Sequence, residues 1–236
     1  MHSTKTLWEN RHTRVVQEDG DCKVFVKDII TNRSTTRALA IYNPTDTTHA
    51  FNIPLSVLEL LGNTHVRDLI SRQDMPDVSS CITDTLPPHS VRILRLEAEH
   101  RTEPTRYEAE WAYLPMYDDL GKERGQIVHQ HCPQASLGMV VANAGGSKDN
   151  TITWDNIYSQ NGGDYEVEIY YVHHPAKGLE VTVNGQHHIL TPSADGNLIS
   201  KTSFETNLHQ GLNTISIGCN NAKAVDIDRI ELKRIN

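Results

Sequence analysis

The sequence predicts an all-β protein built as two β-sandwich domains in tandem. Three observations carry that expectation. Short β-prone runs recur at a spacing of roughly 8–12 residues, with turn residues between them. One stretch alone, Leu55–Leu61, has a helix-like pattern, and it is too short to stand by itself. A charged, proline-bearing segment without periodicity near residue 100 divides the 236 residues into two lengths, each adequate for one small domain.

In chain order, Lys23–Ile30 alternates apolar and polar residues, and Arg37–Asn43 leads into the turn residues Pro44, Thr45 and Asp46. His49–Ile53, Val66–Ile70, Ser80–Leu86 and Val91–Leu96 follow as strands, with turns expected at Gly62-Asn63, Met75-Pro76-Asp77 and Pro87-Pro88. Glu97–Thr105 (EAEHRTEPT) reads as a linker, which sets domains at 1–98 and 106–236 with residues 99–105 between them. Beyond it, Tyr107–Ala112, Met139–Ala142, Asn150–Trp154 and Tyr165–Val172 are β-prone. Leu179–Val183 and His187–Leu190 flank Asn184-Gly185, a strong hairpin signal. Phe204–Leu208, Asn213–Gly218 and Ala224–Leu232 complete the second set.

Composition excludes several functions. Lys and Arg number 22 against 30 Asp and Glu, a net charge of −8. The first hundred residues hold 11 basic and 13 acidic side chains; the remainder holds 11 and 17. Such a surface repels phosphate backbones and anionic lipid, which argues against a nucleic-acid partner. No run approaches the roughly 20 apolar residues that span a bilayer, so membrane insertion is not expected. Residues 1–20 are polar and show no signal-peptide core. Cys22, Cys81, Cys132 and Cys219 form no C-x-x-C motif; free thiols and one disulfide per half are both open.

Several phrases of the first half are distinctive together. Gly20–Lys27 (GDCKVFVK), Arg37–Asn43, Val66-Arg67-Asp68-Leu69 and Leu86–Arg92 (LPPHSVR) resemble the C-terminal β-domain of family 27 glycoside hydrolases, the α-galactosidases. In that family the domain caps a catalytic (β/α)₈ barrel, and Glu9–Asp19 resembles the stretch leaving it. The second half contains Tyr107–Glu110 (YEAE), Gly163–Val167 (GDYEV), Val181–Gly185 (VTVNG), Gly211–Ile215 (GLNTI) and Val225–Ile230 (VDIDRI). In order and spacing these resemble a family 6/35-type carbohydrate-binding module. The resemblance implies a galactose-binding-domain-like jelly-roll, saccharide partners that include galactose-containing oligo- or polysaccharides, and a periplasmic or extracellular setting. A retaining family 27 enzyme needs two barrel carboxylates, and this chain contains no barrel sequence, so it is not expected to be an enzyme by itself. The expected role is non-catalytic carbohydrate binding. Two other readings stand beside it: the C-terminal piece of a complete α-galactosidase, and a purely structural interaction module.

Glu108 and Glu110 are two apart, which on a strand places them on one face, and Asp226 and Asp228 form a similar pair. If the first and last strands of the module are neighbours, as the resemblance implies, these acids converge and would repel one another unless a hard cation joins them. The resemblance implies a structural Ca²⁺ held by Glu108, Glu110 and Asp228. Ile230 and Leu232 share parity with Asp226 and Asp228, so a bulge near Asp228–Arg229 is needed to separate acids from core.

Sugar rings stack on aromatic faces, and their hydroxyls need amide or carboxylate partners. By resemblance the residue two before the ion-binding Asp contacts the ligand, here Asp226. Asn220 and Asn221 lie in the same loop, and Tyr117 and His173, in the His173-His174-Pro175 turn, are the remaining candidates. Trp111 and Trp154 read as core. The histidine pairs, among them His129 and His131, read as solvated, since a transition-metal site needs three or four ligands.

Overall fold

In the computed structural model the described residues are 13–29, 35–118, 126–175, 177–194 and 196–235. The chain divides into two units between Glu103 and Pro104.

Among the described residues the first unit has eight strands: β1 (Thr13–Asp19), β2 (Cys22–Asp28), β3 (Thr36–Asn43), β4 (His49–Pro54), β5 (Leu60–Asp68), β6 (Asp74–Val78), β7 (Cys81–Leu86) and β8 (Ser90–Arg101). They form a six-stranded antiparallel sheet, β1-β2-β3-β8-β5-β6, and a two-stranded sheet of β4 and β7. Alternate residues of both sheets share one core, with Val24, Leu39, Ile41, Leu94 and Leu96 from the larger and Phe51, Ile53, Ile82 and Leu86 from the smaller. The helix-like Leu55–Leu61 shrinks to a 3₁₀ turn over Leu55–Leu58, ended by Glu59 at φ 55°, after which β5 begins.

Three sequence expectations change. Met75-Pro76-Asp77 lies in strand β6, where proline's missing N–H is tolerated because β6 is the edge of its sheet. The segment 13–19, to which the sequence reading gave no strand, pairs with β2 as the opposite edge. The expected connector 99–105 is strand as far as Arg101, because Arg101 is buried and paired. Arg37 and Arg101, 2% and 1% exposed at the side chain, both reach Asp28 Oδ1 (3.0 and 3.1 Å) and Glu59 Oε2 (2.8 and 3.3 Å). Arg14 also bonds Glu59, and Arg37 Nη1 donates to the Leu58 carbonyl at 2.7 Å. Buried charges are tolerated when paired and hydrogen-bonded in this way.

The two family-like phrases of this half meet in space. Asp68 Oδ1 accepts the N–H groups of Ile70 and Ser71 (2.8 and 3.0 Å) and closes the turn after β5, while Arg92 Nη1 donates to Asp68 Oδ2 at 2.7 Å. Their distinctiveness is therefore structural.

Among the described residues the second unit has ten strands: β9 (Arg106–Glu108), β10 (Val128–His131), β11 (Met139–Ala142), β12 (Ile152–Ser159), β13 (Gly163–Val172), β14 (Leu179–Val183), β15 (Gln186–Leu190), β16 (Ile199–Leu208), β17 (Gly211–Gly218) and β18 (Asp226–Arg234). One sheet runs β10-β11-β18-β13-β16, with β9 also on β18; the other runs β12-β17-β14-β15. Tyr171, Val167, Ile169 and Ile230 of the first meet Trp154, Val181, Ile215 and Ile217 of the second in a continuous core. The Asn184-Gly185 hairpin forms with both residues at positive φ (48° and 87°), as a two-residue loop between twisted strands requires. Both units are all-β sandwiches. Among the described residues no helix is long and apolar enough to cross a membrane, and the four cysteines are free.

The buried cluster of the first unit gives a pH prediction. Burial pushes the Glu59 carboxyl up, but Arg37, Arg14 and Arg101 outweigh it and hold the group below its ordinary 4.5. A depressed carboxylate contributes stability above its unfolded pKa and loses it as pH falls. Calorimetry of the full chain should therefore show the first unit's transition falling below about pH 4.5. Glu59→Gln should cost about 3 kcal/mol at pH 7 and flatten that acid dependence.

Candidate functional site

Strand β9 is only three residues long because it must deliver Glu108 and then turn. It pairs antiparallel with β18, Glu108 opposite Arg229 and Tyr107 opposite Ile230. Tyr107 is buried, and its hydroxyl accepts the Tyr158 N–H at 3.0 Å. The Glu108 carbonyl accepts the indole N–H of buried Trp154 at 2.9 Å. A 3₁₀ turn over Ala109–Trp111 follows at once, closed by the Ala112 N–H on the Ala109 carbonyl at 3.1 Å. Glu110 therefore sits on this turn and not two strand positions beyond Glu108; the period-2 argument for a shared face does not apply.

The register of β13 against β18 shifts, with Tyr170 opposite Arg229 and Tyr171 opposite Ile227. Asp228 is the extra residue of that bulge, fully buried, while Ile227 and Ile230 stay in the core.

Ser136, on the loop between β10 and β11, joins the two acids. Its N–H and hydroxyl lie 2.9 and 2.8 Å from Asp228 Oδ1, and the hydroxyl lies 2.5 Å from Glu108 Oε2. A hydroxyl has one proton, so it satisfies one of these carboxylate oxygens at a time. Glu108 Oε1 accepts Arg106 Nε at 2.6 Å, and Asp228 Oδ2 accepts Arg229 Nη1. Both carboxylate oxygens of Glu110 are buried without a hydrogen-bond partner. Burial pushes its carboxyl up to about 7, and the charges of Glu108 and Asp228 add to the rise. Among the described residues no three His, Cys, Asp or Glu side chains are closed around one point as a metal group. The donor set is all oxygen, two members are anionic and buried, and a third is orphaned beside them, which suits a hard cation such as Ca²⁺.

The saccharide candidates occupy separate settings. Asp226 is 3% exposed, and its oxygens are taken by Lys177 Nζ (2.6 Å) and His174 Nε2 (2.8 Å). Its carboxylate is thus committed within the fold, where the sequence reading gave it to a ligand. Tyr117 packs on the core, and its ring lies 4.8 Å from that of His129. His129 is part-buried and its pKa is lowered by burial, unlike the solvated residue expected. His173 is half-buried beyond the end of β13, and Asn221 is exposed.

Asn220 lines a polar cleft of about 190 Å³, with Lys148, Glu180, Thr182, His187 and Ser216 among its walls. Glu180 is its centre: Oε2 faces Asn220 Nδ2 at 3.4 Å and His187 Nε2 at 3.3 Å, and Oε1 accepts the Cys219 thiol at 3.1 Å. The rim is fixed by strapping the 143–147 loop to 219–223. Gly146 N–H donates to the carbonyls of Cys219 and Ala222 (2.8 and 2.7 Å), and Lys223 Nζ to those of Asn143 and Gly145 (2.9 and 3.1 Å). Gly145 has φ +83°, and a Cβ there would meet the Ala222 carbonyl oxygen at 2.5 Å, so only glycine fits.

Sequence reasoning missed Glu180 and took His187, one of the histidine pairs, as solvated; both lie in strands and come together only when β14, β15 and β17 are adjacent. It also placed Trp111 in the core, whereas it is 37% exposed next to Glu110; Trp154 is core, 1% exposed.

No curated protein matches the chain. Among solved structures, the isomalto-dextranase of Arthrobacter globiformis T6, complexed with panose, is similar at 21% identity and TM-score 0.49, over 89% of this chain and 36% of its own. The family 35 carbohydrate-binding module of Clostridium thermocellum is similar at 23% identity and TM-score 0.45, over 54% of this chain and 96% of its own. α-Galactosidase I of Mortierella vinacea is similar at 19% identity and TM-score 0.34, over 38% of this chain and 24% of its own. The chain thus spans about a third of the isomalto-dextranase and a quarter of the α-galactosidase. The family model described as "Alpha galactosidase C-terminal beta sandwich domain" matches residues 19–96. Over those residues the first unit is similar to the C-terminal β-sandwich domain of α-galactosidases.

Proposed function

We propose that this chain is a non-catalytic carbohydrate-binding accessory of an α-galactosidase-like glycoside hydrolase, its second unit stabilised by Ca²⁺. The domain matched at residues 19–96 supports the link to that enzyme class. Among the described residues helix is confined to the 3₁₀ turns Leu55–Leu58 and Ala109–Trp111, so they hold no (β/α)₈ barrel that could carry hydrolysis.

The single observation that carries the cation is Glu110, a carboxylate with both oxygens buried and unpartnered beside Glu108 and Asp228. Glu108, Glu110 and Asp228 would hold the ion, and it would supply the positive charge the third acid lacks. The saccharide reading rests on the module-like phrases of the second half and on a cleft where a planar amide, a carboxylate and an imidazole converge. Those groups hydrogen-bond hydroxyls well, and Asn220 is the sequence candidate placed among them. Galactose-containing oligosaccharides are the first ligands to try.

Two outcomes are expected. Saturating Ca²⁺, at about 100-fold its Kd, should raise the second unit's melting temperature by roughly 8 °C relative to chelator. Glu110→Gln should abolish that gain while leaving the chelated protein at least as stable, since it removes a buried charge. A wild type indifferent to Ca²⁺ would sink the cation assignment. On a glycan panel read by calorimetry, Asn220→Ala should weaken binding about tenfold, the value of one lost hydrogen bond. No binding to any glycan, with or without Ca²⁺, would remove the saccharide reading and leave an interaction module.

A further inference from the structure

The acid site brings its own positive charges. Glu108 and Asp228 are 4% and 0% exposed, and carboxylates this far from water need paired partners. Two arginines provide them, each through the oxygen that does not face Ser136. Arg106 Nε holds Glu108 Oε1 at 2.6 Å, and Arg229 holds Asp228 Oδ2.

Arg229 is itself immobilised. It sits opposite Tyr170 across β13 and β18 and opposite Glu108 across β18 and β9. Its guanidinium carbon is 3.6 Å from the centroid of the Tyr170 ring, and its Nε donates to Glu231 Oε1 at 2.6 Å. The Tyr170 hydroxyl donates to Glu168 Oε2 at 2.9 Å, and Lys201 Nζ donates to Glu168 Oε1 at 2.6 Å. The guanidinium is thus clamped from its face and along its edge before it touches Asp228. Lysine offers no planar fork for such a clamp. Arg229 is shared between Asp228 and Glu231, so the acids at this seam outnumber its two arginines, and Glu110 is the acid whose oxygens accept no hydrogen bond among the described residues.

We propose that Arg106 and Arg229 are built-in counter-ions that keep the second unit folded, with Glu108 and Asp228 in place, when no divalent cation is bound. Cation binding then adds stability to a formed domain instead of creating the fold, unlike small metal domains that unfold without their ion. The arginines are positioning residues: they fix the outer carboxylate oxygens and lower the charge of the site, leaving the inner oxygens and Glu110 for the ion. The inference rests on the Ca²⁺ reading only where the two are compared by experiment.

The test is thermal unfolding of the full chain, followed by tryptophan fluorescence, in chelator and in millimolar CaCl₂. Trp154 reports on the site directly, since its indole N–H binds the Glu108 carbonyl. Wild type should unfold cooperatively in chelator. Arg106→Gln/Arg229→Gln should melt about 8 °C lower there, and CaCl₂ should restore at least half of that loss. An equal loss in both buffers, with wild type still stabilised by Ca²⁺, would overturn the proposal and spare the cation reading. Wild type unfolded in chelator would overturn it as well. Indifference of both proteins to Ca²⁺ would defeat the cation reading and this proposal together. Arg106→Gln alone, at a side chain 46% exposed, keeps the comparison readable if the double variant does not fold: a loss smaller in CaCl₂ supports the proposal, and an equal loss overturns it.

Discussion

Withdrawing three carboxylates from water where the first and last strands of the second unit meet constrains everything around them. Asp228 reaches the site only because β18 bulges, and the bulge lets Ile227 and Ile230 remain in the core. Glu110 reaches it only because β9 stops after Glu108 and a 3₁₀ turn begins. The loop carrying Ser136 is tied down because its N–H and hydroxyl are needed by the acids. Even the placement of Trp154 follows, since its indole N–H finds the Glu108 carbonyl. A β-sandwich that pairs its terminal strands this way inherits a charge problem at the seam.

The two units solve buried charge in opposite senses. In the first, Arg14, Arg37 and Arg101 face Asp28 and Glu59, and the surplus is cationic. A guanidinium has donors to spare, and Arg37 spends one on the Leu58 carbonyl. In the second, Glu108, Glu110 and Asp228 face Arg106 and Arg229, and the surplus is anionic. An ionised carboxylate can only accept, and both oxygens of Glu110 are buried without a hydrogen-bond partner among the described residues. In the first cluster both acids are paired with arginines; in the second, Glu110 is buried without a hydrogen-bond partner among the described residues. That asymmetry is the physical reason for assigning structure to one and ligand chemistry to the other.

Much of this was legible in the sequence. Alternation and turn residues predict most strands, and the parity clash between Asp228 and Ile230 points to the bulge. Other features were hidden for identifiable reasons. Arg101 reads as linker because charge usually marks solvent, and only the fold shows it paired with Asp28 and Glu59. Met75-Pro76-Asp77 reads as a turn because edge position, which excuses the proline, is a property of the sheet. Asp226 reads as a ligand contact because its partners Lys177 and His174 lie some fifty residues away and meet it only across the assembled strands. Glu180 gave no signal and His187 read as solvated, since strand parity does not tell which strand faces will enclose a cleft.

The central claim is that the acids at this seam form a cation site. Terbium luminescence tests it most directly, because a hard trivalent ion takes the same oxygen ligands as Ca²⁺ and Trp111 and Trp154 lie within one residue of Glu110 in sequence and within a hydrogen bond of Glu108. The account predicts emission sensitised through tryptophan, saturating at one ion per chain, displaced by Ca²⁺ and lost in Glu110→Gln. Sensitised emission that is absent, or that survives unchanged in Glu110→Gln, would contradict it.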